Sequence, residues 1–277
     1  MAGVTSRYDD LERPPLNAAS LRRSLLGPGS PWSDVRVVPE LASTNAELAR
    51  LAREGAPHGT VVVAEHQSAG RGRLGRAWSS PPRAGLTFSL LVRPDGVAAG
   101  RWPWLPLLAG VAVAETARRE AEVDTALKWP NDVLVGGRKL AGVLLERVEG
   151  PTGAAAVAGI GLNVSARRDE LPAEATSLAL EGSTMLDRSV LLRALLRTFG
   201  ALYTDWVRTG GDPGNGMADS YTRRCSTLGS TVTVDLPDGK RLTGRAQSID
   251  DQGRLVVASE GGSVALSAGD VTHVRTR

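Results

Sequence analysis

Near Gly229 the hydrophobic period of this chain changes, and that change divides what the chain can fold into. Downstream, short alternating runs at 231–234, 241–249, 255–258, 264–266 and 271–274 are separated by Pro237-Asp238-Gly239, Asp250-Asp251-Gln252-Gly253 and Glu260-Gly261-Gly262. Alternation broken by turn formers every ~8–12 residues predicts a small all-β barrel of roughly 50 residues. Upstream, strand and helix periods alternate, which predicts a mixed α+β domain reaching to about residue 225.

Within that domain, Ser43-Thr44-Asn45-Ala46-Glu47 opens a helix. Thr44 and Glu47 stand at capping-box spacing, which predicts Thr44 as the cap, and Gly55 is a natural stop. The β-branched run 60–64 predicts a buried strand, and a loop rich in Gly, Ser, Arg and Pro follows over 66–83. Strands are predicted at 86–92, 125–129 and 155–164, and a helix at 105–122. A hairpin is predicted over 133–146 around Gly136-Gly137. Asp187 is placed to cap a helix running to about Val207. Residues 1–33 hold Pro14, Pro15 and Pro28 and predict a partly ordered arm with a turn or two of helix around 16–26.

The remaining composition narrows the class. The longest charge-free apolar stretch, 102–114, holds two prolines and falls short of the ~20 residues a membrane helix needs. No signal peptide is visible, and the single cysteine, Cys225, can form no internal disulfide, so cytoplasmic localisation is expected. Net charge is 33 − 30 = +3, too small for a general nucleic-acid binder. Its distribution is uneven: Arg71, Arg73, Arg76, Arg83 and Arg93 lie between Glu65 and Asp95 with no acid among them. The only lysines are Lys128, Lys139 and Lys240, so a chain that otherwise uses arginine keeps two compact ammonium groups close together in sequence.

The loop Gly70-Arg71-Gly72-Arg73-Leu74-Gly75-Arg76 pairs backbone donors with guanidinium groups, the chemistry that holds a small anion. It is not a P-loop, because Arg76 and Ala77 stand where lysine and Ser/Thr are required, and Ser79-Ser80-Pro81-Pro82 cannot continue as a helix. The alternative for this stretch taken by itself is a solvated basic loop. Lys128-Trp129-Pro130-Asn131-Asp132 ends a strand with polar groups, or is simply a turn beside a packed tryptophan. Arg138-Lys139-Leu140-Ala141-Gly142 reads as a ligand contact or as an edge strand guarded by lysine. Gly159-Ile160-Gly161-Leu162-Asn163 ends a further strand in an amide, or marks close packing.

Taken together, in order and spacing, these stretches resemble the biotin protein ligases over residues 35 to the C-terminus. The resemblance implies a mixed-sheet biotin/lipoate ligase-like catalytic domain at 34–225, after an arm at 1–33, followed by an SH3-like β-barrel at 229–277. It implies biotin and ATP with Mg2+ as reactants, biotinyl-5′-AMP and pyrophosphate as first products, and transfer of biotin to a lysine of the biotin carboxyl carrier domain of an acetyl- or acyl-CoA carboxylase. The residues it implicates for biotin are Ser43, Thr44, Asn45, Gln67, Arg71, Gly72, Arg73 and Lys139. For ATP and the adenylate they are Arg71, Arg73, Arg76, Trp78, Asn131 and Asn163, and for catalysis Lys139, Arg73 and Asp132. No metal ligand is assigned. Family members that also repress transcription carry an N-terminal DNA-binding domain. The ~33 residues ahead of the shared region predict a monofunctional ligase without specific DNA binding and without a membrane partner. A lipoate–protein ligase-like enzyme, a non-catalytic biotin or nucleotide sensor, and an RNA binder using the arginine loop are the alternatives.

Overall fold

The computed structural model describes residues 13–236, 239–267 and 270–273; the predicted turn at Pro237-Asp238 and the end of the last predicted strand lie outside the described residues. Seven strands form one mixed sheet in the order β1-β2-β3-β7-β6-β5-β4. They are β1 (Asp34–Leu41), β2 (Thr60–Gln67), β3 (Gly85–Val92), β4 (Ala126–Lys128), β5 (Asp132–Val135), β6 (Arg138–Gly150) and β7 (Gly153–Asn163). β1 runs parallel to β2, and the other neighbours are antiparallel. β2 runs on to Gln67 rather than stopping at Ala64, because β1 pairs along it as far as Leu41 opposite Gln67. β1 itself carries Pro39, which a sheet tolerates at its edge.

Two layers of helix cover this sheet. Helix α2 (Thr44–Arg53) packs Leu48, Leu51 and Ala52 against Val62, Leu91, Val148, Ala155 and Val157. The opposite face is covered by α1 (Ala18–Leu25), α3 (Trp104–Glu120) and α4 (Arg188–Arg208). α3 is apolar nearly all round and is correspondingly buried nearly all round. Asp187 caps α4 as its sequence predicts, accepting from the backbone N–H groups of Ser189 and Val190. The cap of α2 is Ser43, whose hydroxyl accepts from Ala46 N; Thr44 is the first helical residue and is not the cap. The Thr44 hydroxyl is engaged instead with Gln67 and Ser89.

After the short α5 (Met217–Thr222), strands β8 (Thr231–Asp235), β9 (Arg241–Ile249), β10 (Leu255–Ser259), β11 (Gly262–Leu266) and β12 (Asp270–His273) make the separate antiparallel sheet, in the order β11-β10-β9-β8-β12. Two buried indoles attach it to the larger domain: Trp104 Nε1 donates to Asp251 O and Trp129 Nε1 to Gly253 O, both at 3.0 Å. The tryptophan of Lys128-Trp129-Pro130 is therefore a packed residue, and the polar groups on either side of it face elsewhere.

Candidate active site

The α2 face of the sheet is only half covered. Along β7, Ala155 and Val157 lie under the helix, and the same alternation then brings up Gly159, Gly161 and Asn163. Ile160 and Leu162 point the other way into the core. Neighbouring strands add Gly142 from β6 and Thr87 from β3. Where the helix ends, the sheet has almost no side chains, and a cavity of about 610 Å³ opens over its backbone.

These glycines are sterically required. A Cβ on Gly159 would stand 2.1 Å from Asn45 Oδ1, and one on Gly161 would stand 2.3 Å from Trp78 Cε2. The Trp78 indole thus lies flat on the floor, with the Lys139 ammonium 5.8 Å from the ring centroid. We expect Gly161→Ala to lift the indole and weaken ligand binding in this cavity about tenfold without unfolding the protein; titration calorimetry beside a circular dichroism spectrum will check this.

One end of the cavity is a polar set at the start of α2. Gln67 Oε1 accepts from Thr44 N at 2.7 Å and Thr44 Oγ1 at 3.0 Å, so the amide nitrogen of Gln67 turns away from the helix. Asn45 Nδ2 donates to Glu146 Oε2 at 2.7 Å, and the buried Ser89 hydroxyl bridges Thr44 Oγ1 and Asn45 Oδ1 at 2.8 and 2.6 Å. Ser89 and Glu146 did not stand out in the sequence. The signal for Ser89 was a second hydroxyl, two residues after Thr87, inside the otherwise apolar β3.

At the other end are the charged groups. The Arg71–Ala77 bridge and the Gly72 N to Arg76 O bond of 2.7 Å close the glycine–arginine loop into a tight turn. Leu74 and Gly75 take positive φ at its exposed tip. Arg73 Nη1 donates to Asn131 Oδ1 at 3.3 Å, and Asn131 Nδ2 donates to Val143 O, which ties the loop to the end of β4. Opposite Val133 and Leu134 the register of β6 slips by one residue, and such a bulge re-aims side chains. Lys139 Nζ lies 2.6 Å from Asp132 Oδ1. Asn163 spends its Nδ2 on Thr176 O, leaving its buried Oδ1 without a donor. A buried acceptor left unmatched costs ~1–3 kcal/mol, which a ligand's N–H or O–H would relieve.

All thirteen residues singled out from the sequence border this one cavity: Ser43, Thr44, Asn45 and Gln67 at the polar end, Arg71, Gly72, Arg73, Arg76 and Trp78 from the loop, and Asn131, Asp132, Lys139 and Asn163 from the strand ends. Among the described residues no group of three or more His, Cys, Asp or Glu forms a metal site. A polar pocket joined to a cation-lined one, over a floor of backbone, suits a ligand with an uncharged hydrogen-bonding end and an anionic end.

Comparison with known proteins agrees. Residues 37–163 match the biotin/lipoate A/B protein ligase family, and residues 227–274 match the biotin protein ligase C-terminal domain. The fold and site therefore define a ligase of the biotin/lipoate class. The chain is 44% identical over 270 residues to the biotin–[acetyl-CoA-carboxylase] ligase of Mycobacterium tuberculosis, covering 96% of this chain and 98% of that one. It is 35% identical to the bifunctional ligase/repressor BirA of Escherichia coli, over 89% of this chain and 74% of that one. Its fold is similar to that of the Aquifex aeolicus biotin protein ligase in complex with biotin and ATP, with a TM-score of 0.73, 27% identity, and coverage of 88% and 100% of the two chains. The chain belongs to the biotin protein ligase family.

Proposed function

We propose that this chain activates biotin with ATP and transfers it to a lysine of a biotin carboxyl carrier domain. The observation that carries the reading is the convergence of Arg73, Lys139 and the Ser43–Gln67 polar set on one cavity. In the first step a biotin carboxylate oxygen attacks the α-phosphorus of ATP, the α–β anhydride bond breaks, and pyrophosphate leaves. Both partners are anionic, so Arg71, Arg73 and Lys139 act by neutralising them and holding them in line. The ureido ring is read by Ser43, Thr44, Asn45 and Gln67, whose hydrogen-bonding groups are already oriented. Gly72 gives the chain acid backbone room, and Arg76, Trp78, Asn131 and Asn163 surround the adenylate. Magnesium enters with ATP as counter-ion to its phosphates, a role needing few protein carboxylates.

In the second step the carrier amine attacks the biotinyl carbonyl, the mixed anhydride bond breaks, and AMP leaves. Asp132 receives the proton that the amine loses. The catalytic unit spans 34–225 after the arm at 1–33, and the β module spans 229–277. We infer no specific DNA binding by the described residues: α1, the helix ahead of β1 among them, spends Leu21 and Leu25 on the core. Among the described residues no helix is long and apolar enough to cross a membrane. The unpaired Cys225 and the need for ATP support a cytoplasmic location.

The test is incubation with MgATP, an apo carrier domain, and biotin or lipoate in parallel. Pyrophosphate release and a carrier heavier by one biotinyl group are expected with biotin alone. Pyrophosphate-free binding, or preferential lipoylation, would sink the reading.

A further inference from the structure

We propose that Arg13, ahead of the first strand and outside the cavity, is a positioning residue for ATP, because it clamps the wall that residues 170–175 build beside Lys139 and Asn163. The inference rests on the function proposed above.

The wall consists of Glu170, Leu171, Pro172, Glu174 and Ala175. Its inner edge is sewn to the site: Lys139 N donates to Glu174 O at 2.7 Å, Thr176 N donates to Lys139 O at 2.9 Å, and Asn163 Nδ2 reaches Thr176 O. Its outer edge is held by side chains: from within the segment, the Arg168 guanidinium donates to Ala175 O at 2.7 Å, to Leu171 O at 3.1 Å and to Pro172 O. Arg13 forks onto Glu170, with Nη1 at 3.1 Å from Oε1 and Nη2 at 2.6 Å from Oε2, and Nη2 also donates to Ser165 O at 3.0 Å. Arg167 reaches Glu170 Oε1 at 3.2 Å from the solvent side. Burial pushes the Glu170 carboxyl up, and the Arg13 hydrogen bond with the Arg167 backbone and charge draws it below its ordinary value.

A clamp works only if its own base is fixed. Pro14 O accepts from Arg188 Nη2 at 2.7 Å, and Leu16 N donates to Glu65 Oε1 at 2.6 Å. Arg188 and Glu65 are themselves paired at 2.6 Å, with side chains only 4% and 9% exposed. The Arg13 and Glu170 side chains, 12% and 16% exposed, are sheltered enough for a bidentate pair to hold the wall. Without Arg13, Glu170 keeps only Arg167, a neighbour in its own segment, and the outer edge loses its tie to the chain ahead of β1.

Arg13→Ala, Arg13→Lys, Glu170→Gln and the Arg13→Ala/Glu170→Gln double variant would be assayed by pyrophosphate release over ATP and biotin series, with amide hydrogen exchange of each protein. Arg13→Ala is expected to raise the KM for ATP about 5- to 10-fold, with kcat and the biotin KM within about twofold. Exchange should speed up over 165–176, Arg13→Lys should fall between wild type and Arg13→Ala, and the double variant should be no worse than either single one. An unchanged ATP KM, an equal rise for biotin, or additive single effects would overturn the inference. If the wild type released no pyrophosphate, the reaction assigned above would fall first, and the clamp with it.

Discussion

Lys139→Ala is expected to slow biotinyl-AMP formation by roughly 10²–10³-fold, the range seen when one preorganised donor to developing charge is removed. Lys139 lines the cavity together with Arg73, and its ammonium is held 2.6 Å from Asp132, near the ring of Trp78. Removing it deprives two like-charged reactants of a counter-ion and leaves Asp132 to repel both. The measurement is single-turnover pyrophosphate release. Transfer from chemically prepared biotinyl-AMP, assayed in parallel, separates activation from the second step. Lys139→Arg should remain far below wild type, because a planar fork does not fit over Gly142, where even an added Cβ would stand 2.9 Å from the lysine's Cε. Near-normal activation by the alanine variant would refute the role given to this residue.

Arg188→Ala is expected to cost about 3–5 kcal/mol of stability, the penalty for stranding one member of a buried ion pair. Its guanidinium meets Glu65 at 2.6 Å and donates to Pro14 O at 2.7 Å and Gly85 O at 3.4 Å. Its loss leaves the Glu65 carboxylate in the interior with Leu16 N as its remaining partner. Urea denaturation monitored by tryptophan fluorescence will show the midpoint fall. Adding Glu65→Gln should return part of the loss by removing the stranded charge. An Arg188→Ala protein within 1 kcal/mol of wild type, about the scale of an exposed pair, would show that the pair is solvated.

These two residues also mark what the sequence disclosed and what it did not. Lys139 was legible because local chemistry marked it: a rare lysine, beside glycines, in a stretch whose order matched a family. The same holds for Asp187, whose capping role depends on residues two and three positions away. Glu65 and Arg188 stand 123 residues apart, and Arg13 and Glu170 stand 157 apart. No local period encodes such pairs; only the folded domain brings them together. β1 escaped notice because Arg36, Pro39 and Glu40 interrupt its apolar positions, and its pairing with β2 supplies what its propensity lacks. At Ser43-Thr44 the spacing with Glu47 favoured the wrong hydroxyl. The Gln67 amide recruits Thr44 through its N–H and Oγ1, and the cap falls to the residue before it.

The floor made by Gly142, Gly159 and Gly161 has a one-directional consequence. No residue is smaller than glycine, so point substitution there can only shallow the cavity and never deepen it. Enlarging it for a bulkier acid would require trimming a side chain, at Trp78 on the floor or at Leu144, or bending the sheet itself.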